Sequence, residues 1–541
     1  MMKIEANIVD IIKKKVFFGS IQIESGKIYS IKEKTGKSDK YILPGFIDSH
    51  IHIESTMLVP SEFSPVALSF GTTAVVADPH EIANILGIKG VRYMIENAEK
   101  VPLRFYFGAP SCVPATEFET SGAVITPDDI ETLMENDEVS HLSEVMNYPA
   151  VLAEVPDIMT KMEIAKKFGK EIDGHAPHLS GVDLEKYISA GCRTDHEADS
   201  FAEGEEKIQK GMKILIREGS AAKNFDALAD LIDKYPESVM FCSDDIHADD
   251  LVKGHINLLV KRAIAKGYDL FNVLRAASLN PKKHYYLNTG LLEKGDNADF
   301  IIVDSLTDFN VLETYIAGEK VFDRAEPITK KNPVRLVNKF DTIPKVVEDF
   351  NVIAKGDMVK VIVAENGELI TKKIIAKAKI ENGFALSDVE NDILKIVNLS
   401  RYNTTKPSIA FIKNFGLHSG AIASSIAHDS HNIIAVGADD DSLLKAVNSI
   451  IRAKGGICVC SDGEIDQLDL PVAGLMSDLS AEKVASKYTE LNKKVKDLGC
   501  KLDAPFMTLS FMGLLVIPEL KLSDKGLFDS TTFQFIELFE E

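Results

Sequence analysis

The chain has 541 residues, of which 45% are hydrophobic and 26% are charged, and its formal net charge is −21. This length predicts two or more domains, because single cores rarely grow beyond about 300 residues. The excess of acidic residues argues against nucleic-acid binding, which needs clustered Lys and Arg, and favours a small-molecule ligand. No apolar run approaches the roughly 20 residues that span a bilayer, and the first residues lack a signal-peptide pattern. We therefore expect a cytoplasmic protein without a membrane partner.

The first 280 residues show two successive patterns. Residues 4–42 contain several short strand-like runs separated by glycine turns. From about residue 41 onward, strand-like runs alternate with amphipathic helical stretches, which is the pattern of parallel strands joined by crossover helices. The predicted strands end at residues 47–50, 75–78, 105–108, 141–144, 172–175, 193–196, 213–216 and 240–244. Eight such units predict a closed (β/α)8, TIM-like barrel over residues 44–280.

Two further units are predicted outside this barrel. Strand-like runs recur at 290–304 and 315–321, so we expect residues 1–43 and 281–340 to pair into one small β-domain. Residues 341–541 return to alternating strands and helices, and we assign them to an additional C-terminal α/β domain. The predicted fold class is therefore α/β, with a barrel, a β-domain built from its flanks and a C-terminal α/β domain.

Side chains that bind metals fall at the predicted ends of the barrel strands. His50 and His52 lie two residues apart on the first strand, so their imidazoles share one face. The other four candidates each end a different strand, and they are Glu144, His175, His196 and Asp244. Since the C-terminal ends of barrel strands converge on one mouth, we expect these six side chains to meet. They supply about three ligands for each of two ions, and a carboxylate such as Glu144 can span both.

The ligand types indicate that the bound ions activate water, but they do not identify the metal. Imidazole and carboxylate suit Zn²⁺, Mn²⁺ and Fe²⁺ alike. Two such ions that share a water molecule would lower its pKa from about 15.7 toward 7. Asp244, as a ligand and a neighbour of that water, is placed to take its proton and pass it to a leaving group. The sequence thus predicts a metal-dependent hydrolase.

Several motifs resemble known families. The stretch Leu-Pro-Gly-Phe-Ile-Asp-Ser-His-Ile-His at 43–52 resembles the entry motif of the amidohydrolase superfamily. Further segments resemble the two-metal adenine deaminases, and they are ADPHEIAN at 77–84, SEVMNYP at 143–149, DGHAP at 173–177, TDHE at 194–197, AHDSHN at 427–432 and LPVAGLMSD at 470–478. The resemblance covers nearly the whole chain, and its last two motifs are the more particular to that family.

The resemblance implies hydrolytic deamination of adenine to hypoxanthine and ammonia, a reaction of purine salvage. It implies two divalent ions, Mn²⁺ or Fe²⁺ in the first place and Zn²⁺ as an alternative, with Glu144 in the bridging position. One departure is His178, which stands where a small residue is expected and leaves two candidates for one ligand position. We prefer His175, because it lies directly at the strand end.

Residues on the substrate side are less sharply defined. Attack at C6 of adenine moves electron density onto N1, so a carboxyl group must supply a proton there. Glu81 is the candidate for that acid, while Glu197 or Asp245 could contact the purine edge instead, and His80 lies beside them in the same predicted pocket.

Some features of the chain have weaker interpretations. Arg217, Glu218 and Ser220 could line the pocket, although an adjacent Arg and Glu more often form a structural pair. His428, Asp429 and His431 suggest a lid or interface segment near the barrel mouth rather than a second metal site.

Two other functions are compatible with the same pattern. The metal pair could instead hydrolyse a cyclic amide or an N-acyl group, because activation of water does not specify the electrophile. A protein without catalytic activity could use the ions only to brace its barrel. A homodimer is expected from the prevalence of symmetric dimers among soluble enzymes.

Overall fold

The computed structural model describes residues 2–326 and 332–540. Residues 1, 327–331 and 541 fall within the predicted domain ranges and lie outside the described residues. The N-terminal flank contains four strands, which are β1 (Met2–Asp10), β2 (Lys15–Glu24), β3 (Lys27–Glu33) and β4 (Tyr41–Pro44). β1 pairs antiparallel with β2 and parallel with β4. β4 ends at Pro44, and the first strand of the next unit begins at Phe46.

The next unit is the predicted barrel. Its eight strands are β5 (Phe46–Ile51), β6 (Thr72–Ala77), β7 (Arg104–Ala109), β8 (His141–Val145), β9 (Glu171–Gly174), β10 (Thr194–Asp195), β11 (Lys213–Arg217) and β12 (Val239–Cys242). β5 to β9 pair in sequence order, as do β10 to β12, and all of these pairs are parallel. A parallel bridge between Ile51 and Asp244 joins the last strand to the first. A 3.0 Å bond from Arg193 N to Ile172 O links β9 to β10.

Helices cover the outside of the barrel, which is why a strand such as β6 is buried along its whole length. They are α1 (Pro60–Ser69), α2 (His80–Leu86), α3 (Ile88–Ala98), α4 (Pro127–Glu135), α5 (Tyr148–Leu152), α6 (Pro156–Lys167), α7 (Gly181–Ala190), α8 (Phe201–Gln209), α9 (Phe225–Leu228), α10 (Leu231–Lys234), α11 (Ala248–Leu251), α12 (Ile256–Ala265), α13 (Leu270–Leu274) and α14 (Asn280–His284). The sequence sets their starts locally. In α4, for example, Thr126 and Asp129 form a capping box around a proline in the first turn.

The two flanks of the barrel form one sheet, as predicted. After the barrel come β13 (Phe300–Val303), β14 (Val311–Ile316) and β15 (Glu319–Asp323). β13 pairs antiparallel with β4, which gives a seven-stranded sheet in the order β15-β14-β13-β4-β1-β2-β3.

The C-terminal part is richer in strands than in helices. Its strands are β16 (Val352–Ile353), β17 (Met358–Ala364), β18 (Thr371–Lys377), β19 (Lys379–Glu381), β20 (Phe384–Leu386), β21 (Leu394–Leu399), β22 (Ser408–Lys413), β23 (Ala421–Ser424), β24 (Ile433–Gly437), β25 (Gly456–Ser461), β26 (Glu464–Asp469), β27 (Leu520–Ser523), β28 (Gly526–Asp529) and β29 (Gln534–Phe535). Its helices are α15 (Asp440–Ala453), α16 (Ala481–Asp497) and α17 (Pro505–Phe511). Eight of the strands form one sheet in the order β18-β17-β22-β21-β24-β23-β25-β26. The predicted fold class is confirmed.

The C-terminal domain packs directly on the barrel. One hydrophobic cluster contains residues of both, including Phe63 from the barrel and Phe511 from α17. The Asn432 side chain donates a 3.0 Å hydrogen bond to the carbonyl of Thr120, in the loop after β7. The segment 427–432 is thereby held against the barrel. Within residues 2–326 and 332–540, no helix combines the length and apolarity that a membrane crossing requires.

Candidate metal centre

The first half of the site is built at the C-terminal end of β5 and on Asp244, two residues after the end of β12. His50 and His52 point to the same side of β5, and their Nε2 atoms lie 3.2 Å apart. Asp244 is fixed beside them, because its backbone N–H donates a 2.9 Å bond to the carbonyl of His50. Its φ of 54° is a conformation that few residues other than Gly adopt, and Asp is among those that tolerate it. Asp244 Oδ1 lies 3.4 Å from His50 Nε2 and 3.1 Å from His52 Nε2.

The second half of the site is built on three other strands. His175 Nδ1 lies 2.8 Å from Glu144 Oε2, and His196 Nε2 lies 3.2 Å from the same oxygen. The other oxygen, Oε1, lies 3.4 Å from His52 Nε2. The two oxygens of Glu144 therefore face different histidine sets, which is the arrangement that a bridging carboxylate needs.

These spacings fit cation binding. Metal–ligand bonds of about 2.0–2.2 Å place neighbouring ligand atoms about 3.3–3.6 Å apart in a tetrahedral site. The spacings of His50, His52, His196, Glu144 and Asp244 lie close to that range. Groups of His, Asp and Glu with converging ligand atoms are present among the described residues, so this part of the chain contains a cluster that can bind metal.

The charges of the site point the same way. Burial by itself raises the pKa of Glu144, but His175, His196 and His52 outweigh burial and hold that pKa well below its usual value. Burial likewise raises the pKa of Asp244, and Arg217 and the histidines reverse the effect. The ionised form of both carboxylates is the form that binds metal, so the charges of the site are compatible with a bound cation.

Arg217 has a larger role in the site than the sequence indicated. It ends β11, is only 4% exposed, and donates a 2.7 Å bond from Nη1 to Asp244 Oδ2. The same guanidinium forms an ion pair with Glu197, whose pKa is lowered because Arg217 and the nearby imidazoles outweigh burial. The interpretation of Arg217 and Glu218 as a structural pair is therefore wrong, since Glu218 instead pairs with Arg262 at 3.0 Å.

The candidate substrate-side residues of the barrel lie beside the ligand set. His80 begins α2, and its Nδ1 is 3.0 Å from Asp78 Oδ2. Glu81 follows it and is buried at the mouth of the barrel. Asp245 accepts a 2.5 Å hydrogen bond from Ser55 Oγ, and burial together with the adjacent Asp244 raises its pKa.

The C-terminal domain also reaches the site. His428 Nδ1 lies 2.5 Å from Glu81 Oε1, and His431 Nε2 forms a close contact with Glu81 Oε2. Asp429 Oδ1 is 3.8 Å from His80 Nε2. The segment expected near the barrel mouth is thus part of the site itself.

Nine of the ten residues singled out from the sequence line one cavity, and His50 lies directly behind His52. The nine are His52, His80, Glu81, Glu144, His175, His196, Glu197, Asp244 and Asp245. His178 does not join them. Its side chain is 61% exposed and lies 3.8 Å from carboxylate oxygens of Asp199 and Glu203. Position 175 is thus the one of the two histidines that reaches the ligand set.

Arg217, His428 and Asp429 also line the cavity, and the remaining wall is apolar and comes largely from the C-terminal domain. Its apolar residues are Met146, Ala221, Ala222, Leu369, Phe511, Leu514, Val516 and Ile517. The cavity continues into a cleft of about 800 Å³ between the barrel loops and the C-terminal domain, with Met146 and Phe511 among the shared lining residues. A small ligand can therefore reach the ligand set from this cleft. No sequence pattern identified this wall, because its residues are ordinary apolar residues far apart in the chain.

The chain is similar to several known proteins. Residues 41–321 match the amidohydrolase family, and residues 368–534 match the adenine deaminase C-terminal domain. An adenine deaminase of Methanosarcina mazei is 52% identical over 554 residues, and the match covers 100% of both chains. An adenine deaminase of Sulfurovum sp. is 54% identical over 537 residues, which cover 99% of each chain. Among solved structures, a β-aspartyl dipeptidase of Fervidobacterium islandicum matches 61% of this chain and 100% of its own, with 18% identity and a TM-score of 0.47.

Proposed function

Because this chain belongs to the adenine deaminase family of amidohydrolases, we propose that it hydrolyses adenine to hypoxanthine and ammonia with two divalent cations at the barrel mouth. The observation that carries this proposal is the convergence of four imidazoles and two carboxylates from five chain segments within hydrogen-bonding distance of one another. Purine salvage, a cytoplasmic location and a homodimer complete the proposal, and they rest on the substrate and on the general prevalence of dimers.

The ligand set divides between two cations. His50, His52 and Asp244 would hold one, and His175 and His196 would hold the other, with Glu144 bound to both. When bound, the cations would lower the pKa of a water molecule and so supply a nucleophile at neutral pH. The ligand types suit Mn²⁺, Fe²⁺ and Zn²⁺ alike, and the resemblance to two-metal adenine deaminases implies Mn²⁺ or Fe²⁺ first, with Zn²⁺ as an alternative.

The protein's own groups handle the protons. Attack of water at C6 of adenine breaks the C6–N1 double bond, and the electron pair moves to N1, which takes a proton from Glu81. Asp244 takes a proton from the water and transfers it to the amino nitrogen, so that ammonia leaves when the C6–N bond breaks. The second proton of the water replaces the one that N1 received, and the reaction balances.

The remaining contacts suit a purine base. Phe511, Leu514 and Ile517 present an apolar wall opposite the polar ligand set, and a planar aromatic ring can pack there while its C6 edge faces the carboxylates. His80, Glu197 and Asp245 lie on the polar side, where they can bond to the ring nitrogens. We assign them to orientation of the base.

The test is an ammonia-release assay on adenine, adenosine and cytosine after separate reconstitution of the metal-free protein with Mn²⁺, Fe²⁺ and Zn²⁺. We expect efficient turnover of adenine alone. His50→Ala and Asp244→Asn should lower that rate by several orders of magnitude, whereas His418→Gln, which changes an exposed histidine, should leave it unchanged.

Near wild-type rates in His50→Ala or Asp244→Asn would reject the assigned site. Turnover of hydantoins, dihydroorotate or N-acyl amino acids in place of adenine would reject the substrate and would favour hydrolysis of an amide by the same cluster.

A further inference from the structure

We propose that His428 and His431 of the C-terminal domain act as positioning residues for Glu81, and that His428 supplies the proton which Glu81 gives to the purine ring. This inference rests on the proposed function, since it concerns the acid of that reaction. It goes beyond the barrel, because it places part of the proton chemistry on a domain that contributes none of the six metal-ligand candidates.

The geometry gives each Glu81 oxygen its own imidazole. His428 Nδ1 contacts Oε1 at 2.5 Å, and His431 Nε2 contacts Oε2. All three side chains are buried, Glu81 being 1% exposed. A carboxylate with both oxygens held in this way cannot rotate, so its direction toward the cavity is set by the C-terminal domain rather than by α2 alone.

The two imidazoles differ in charge. Burial lowers the pKa of His428, but the Glu81 carboxylate outweighs burial and raises that pKa to about 9, so His428 carries a proton at neutral pH. Burial outweighs Glu81 at His431 and lowers its pKa, so His431 is a neutral donor through Nε2. The Glu81 pKa is held well below its usual value against the effect of burial. The acidic proton of this group is therefore stored on His428.

The segment that carries these histidines is firmly anchored. The backbone N–H of His428 donates to the carbonyl of Ser510 at 3.2 Å, and the N–H of His431 donates to the carbonyl of Ala427 at 2.6 Å. The His428 ring also stacks on Phe511, with centroids 5.1 Å apart and planes inclined by 26°. Because Phe511 lines the same cavity, the apolar wall of that cavity and the proton source are in direct contact.

The proton transfer balances in two steps. As N1 gains electron density, the Nδ1 proton of His428 passes to Glu81 Oε1, and the protonated Glu81 then gives a proton to N1. The second proton of the attacking water, released when the C6 oxygen becomes a carbonyl, restores the protonated pair. The titratable groups that face His428 are Glu81 of α2, Asp245 and His247 after β12, and Asp429 and His431 of its own segment.

The experiment uses the full-length, metal-loaded protein and adenine. His428→Asn retains a hydrogen-bond donor near the Nδ1 position, but its amide is not acidic and cannot transfer a proton to Glu81. We therefore expect kcat to fall about 100-fold or more with little change in KM. The alkaline limb of the wild-type pH–rate profile, which follows loss of the His428 proton near pH 9, should disappear in this variant. His431→Ala should lower kcat about 10- to 100-fold, and His431→Gln, which returns a donor near the Nε2 position, should recover most of the loss.

A double-mutant cycle tests whether these effects pass through Glu81. If they do, adding His428→Asn to Glu81→Gln changes kcat by less than about threefold. Additive losses in the cycle, or a His428→Asn variant with wild-type kcat, would overturn the proposal. Loss of one equivalent of metal from His431→Ala would also overturn it, because the cluster would then be an ion site. Thermal unfolding and metal content identify any variant that is merely misfolded, and wild type that fails to deaminate adenine would reject the proposed function rather than this inference.

Discussion

Replacement of Arg217 by Met tests the charge balance of the site. The guanidinium is 4% exposed and forms ion pairs with Asp244 and Glu197, so its removal leaves two buried carboxylates without their cation. Loss of one partner from a buried ion pair costs about 3–5 kcal/mol. For a chain of this size that loss corresponds to a fall of about 3–4 °C in Tm, if the packed domains unfold together. We expect this fall in the metal-free protein.

Bound metal should reduce the effect of this substitution on Tm, since a cation beside Asp244 compensates part of the buried negative charge that Arg217 no longer neutralises. The assay is thermal unfolding of wild type, Arg217→Met and Arg217→Lys, each with and without bound metal. Arg193→Met, which changes an exposed arginine, is the matched control and should leave Tm unchanged. A fall in Tm below about 1 °C, or an equal fall with and without metal, would refute the charge argument.

Two other substitutions test separate parts of the fold and the site. His175→Ala should lose bound metal and activity, while His178→Ala keeps both, as measured by elemental analysis and ammonia release. The opposite result would make His178 the metal ligand in place of His175. Burial lowers the pKa of Lys521 to about 7, so between pH 7 and 10 this residue binds more protons in the unfolded chain and its contribution to wild-type stability rises with pH. This contribution of up to about 1.4 kcal/mol per pH unit should vanish in Lys521→Met but persist in Lys377→Met, which changes an exposed lysine. The measurement is Tm from pH 7 to 9.5. Equal slopes of Tm against pH in wild type and both variants would contradict the prediction.

Local patterns were sufficient to predict the barrel. Each of its strands is a short apolar run that ends in polar residues, and in a parallel barrel those ends must meet. The placement of Glu144 beside His175 and His196 follows from that topology alone, although the residues are up to 52 positions apart. The pairing of the two flanks was also predictable, because the barrel brings its own ends close together.

Contacts between the domains were not predictable in the same way. Glu81 and His431 are 350 residues apart, and no periodicity relates them. The motif around His428 was visible in the sequence and indicated a lid or interface segment near the barrel mouth. Its partner Glu81 lies on another domain, so the sequence alone could not identify that contact. The prediction for Arg217 was wrong for a related reason. Its neighbour in the sequence, Glu218, pairs with Arg262 in the structure, whereas Arg217 pairs with Glu197.

The barrel and the C-terminal domain contribute different parts of the site, which explains why the motifs more particular to the family lie in the C-terminal domain. The barrel supplies the cluster that can activate water, and such a cluster does not distinguish one electrophile from another. The C-terminal domain contributes Phe511 and its apolar neighbours to the cavity wall and places His428 and His431 on Glu81. Under the proposed mechanism, recognition of the purine ring and protonation of its nitrogen both require these additions, because activated water alone would leave charge on N1. Substrate specificity in this protein should therefore respond more to changes at the domain interface than to changes in the ligand set, which would abolish activity on every substrate.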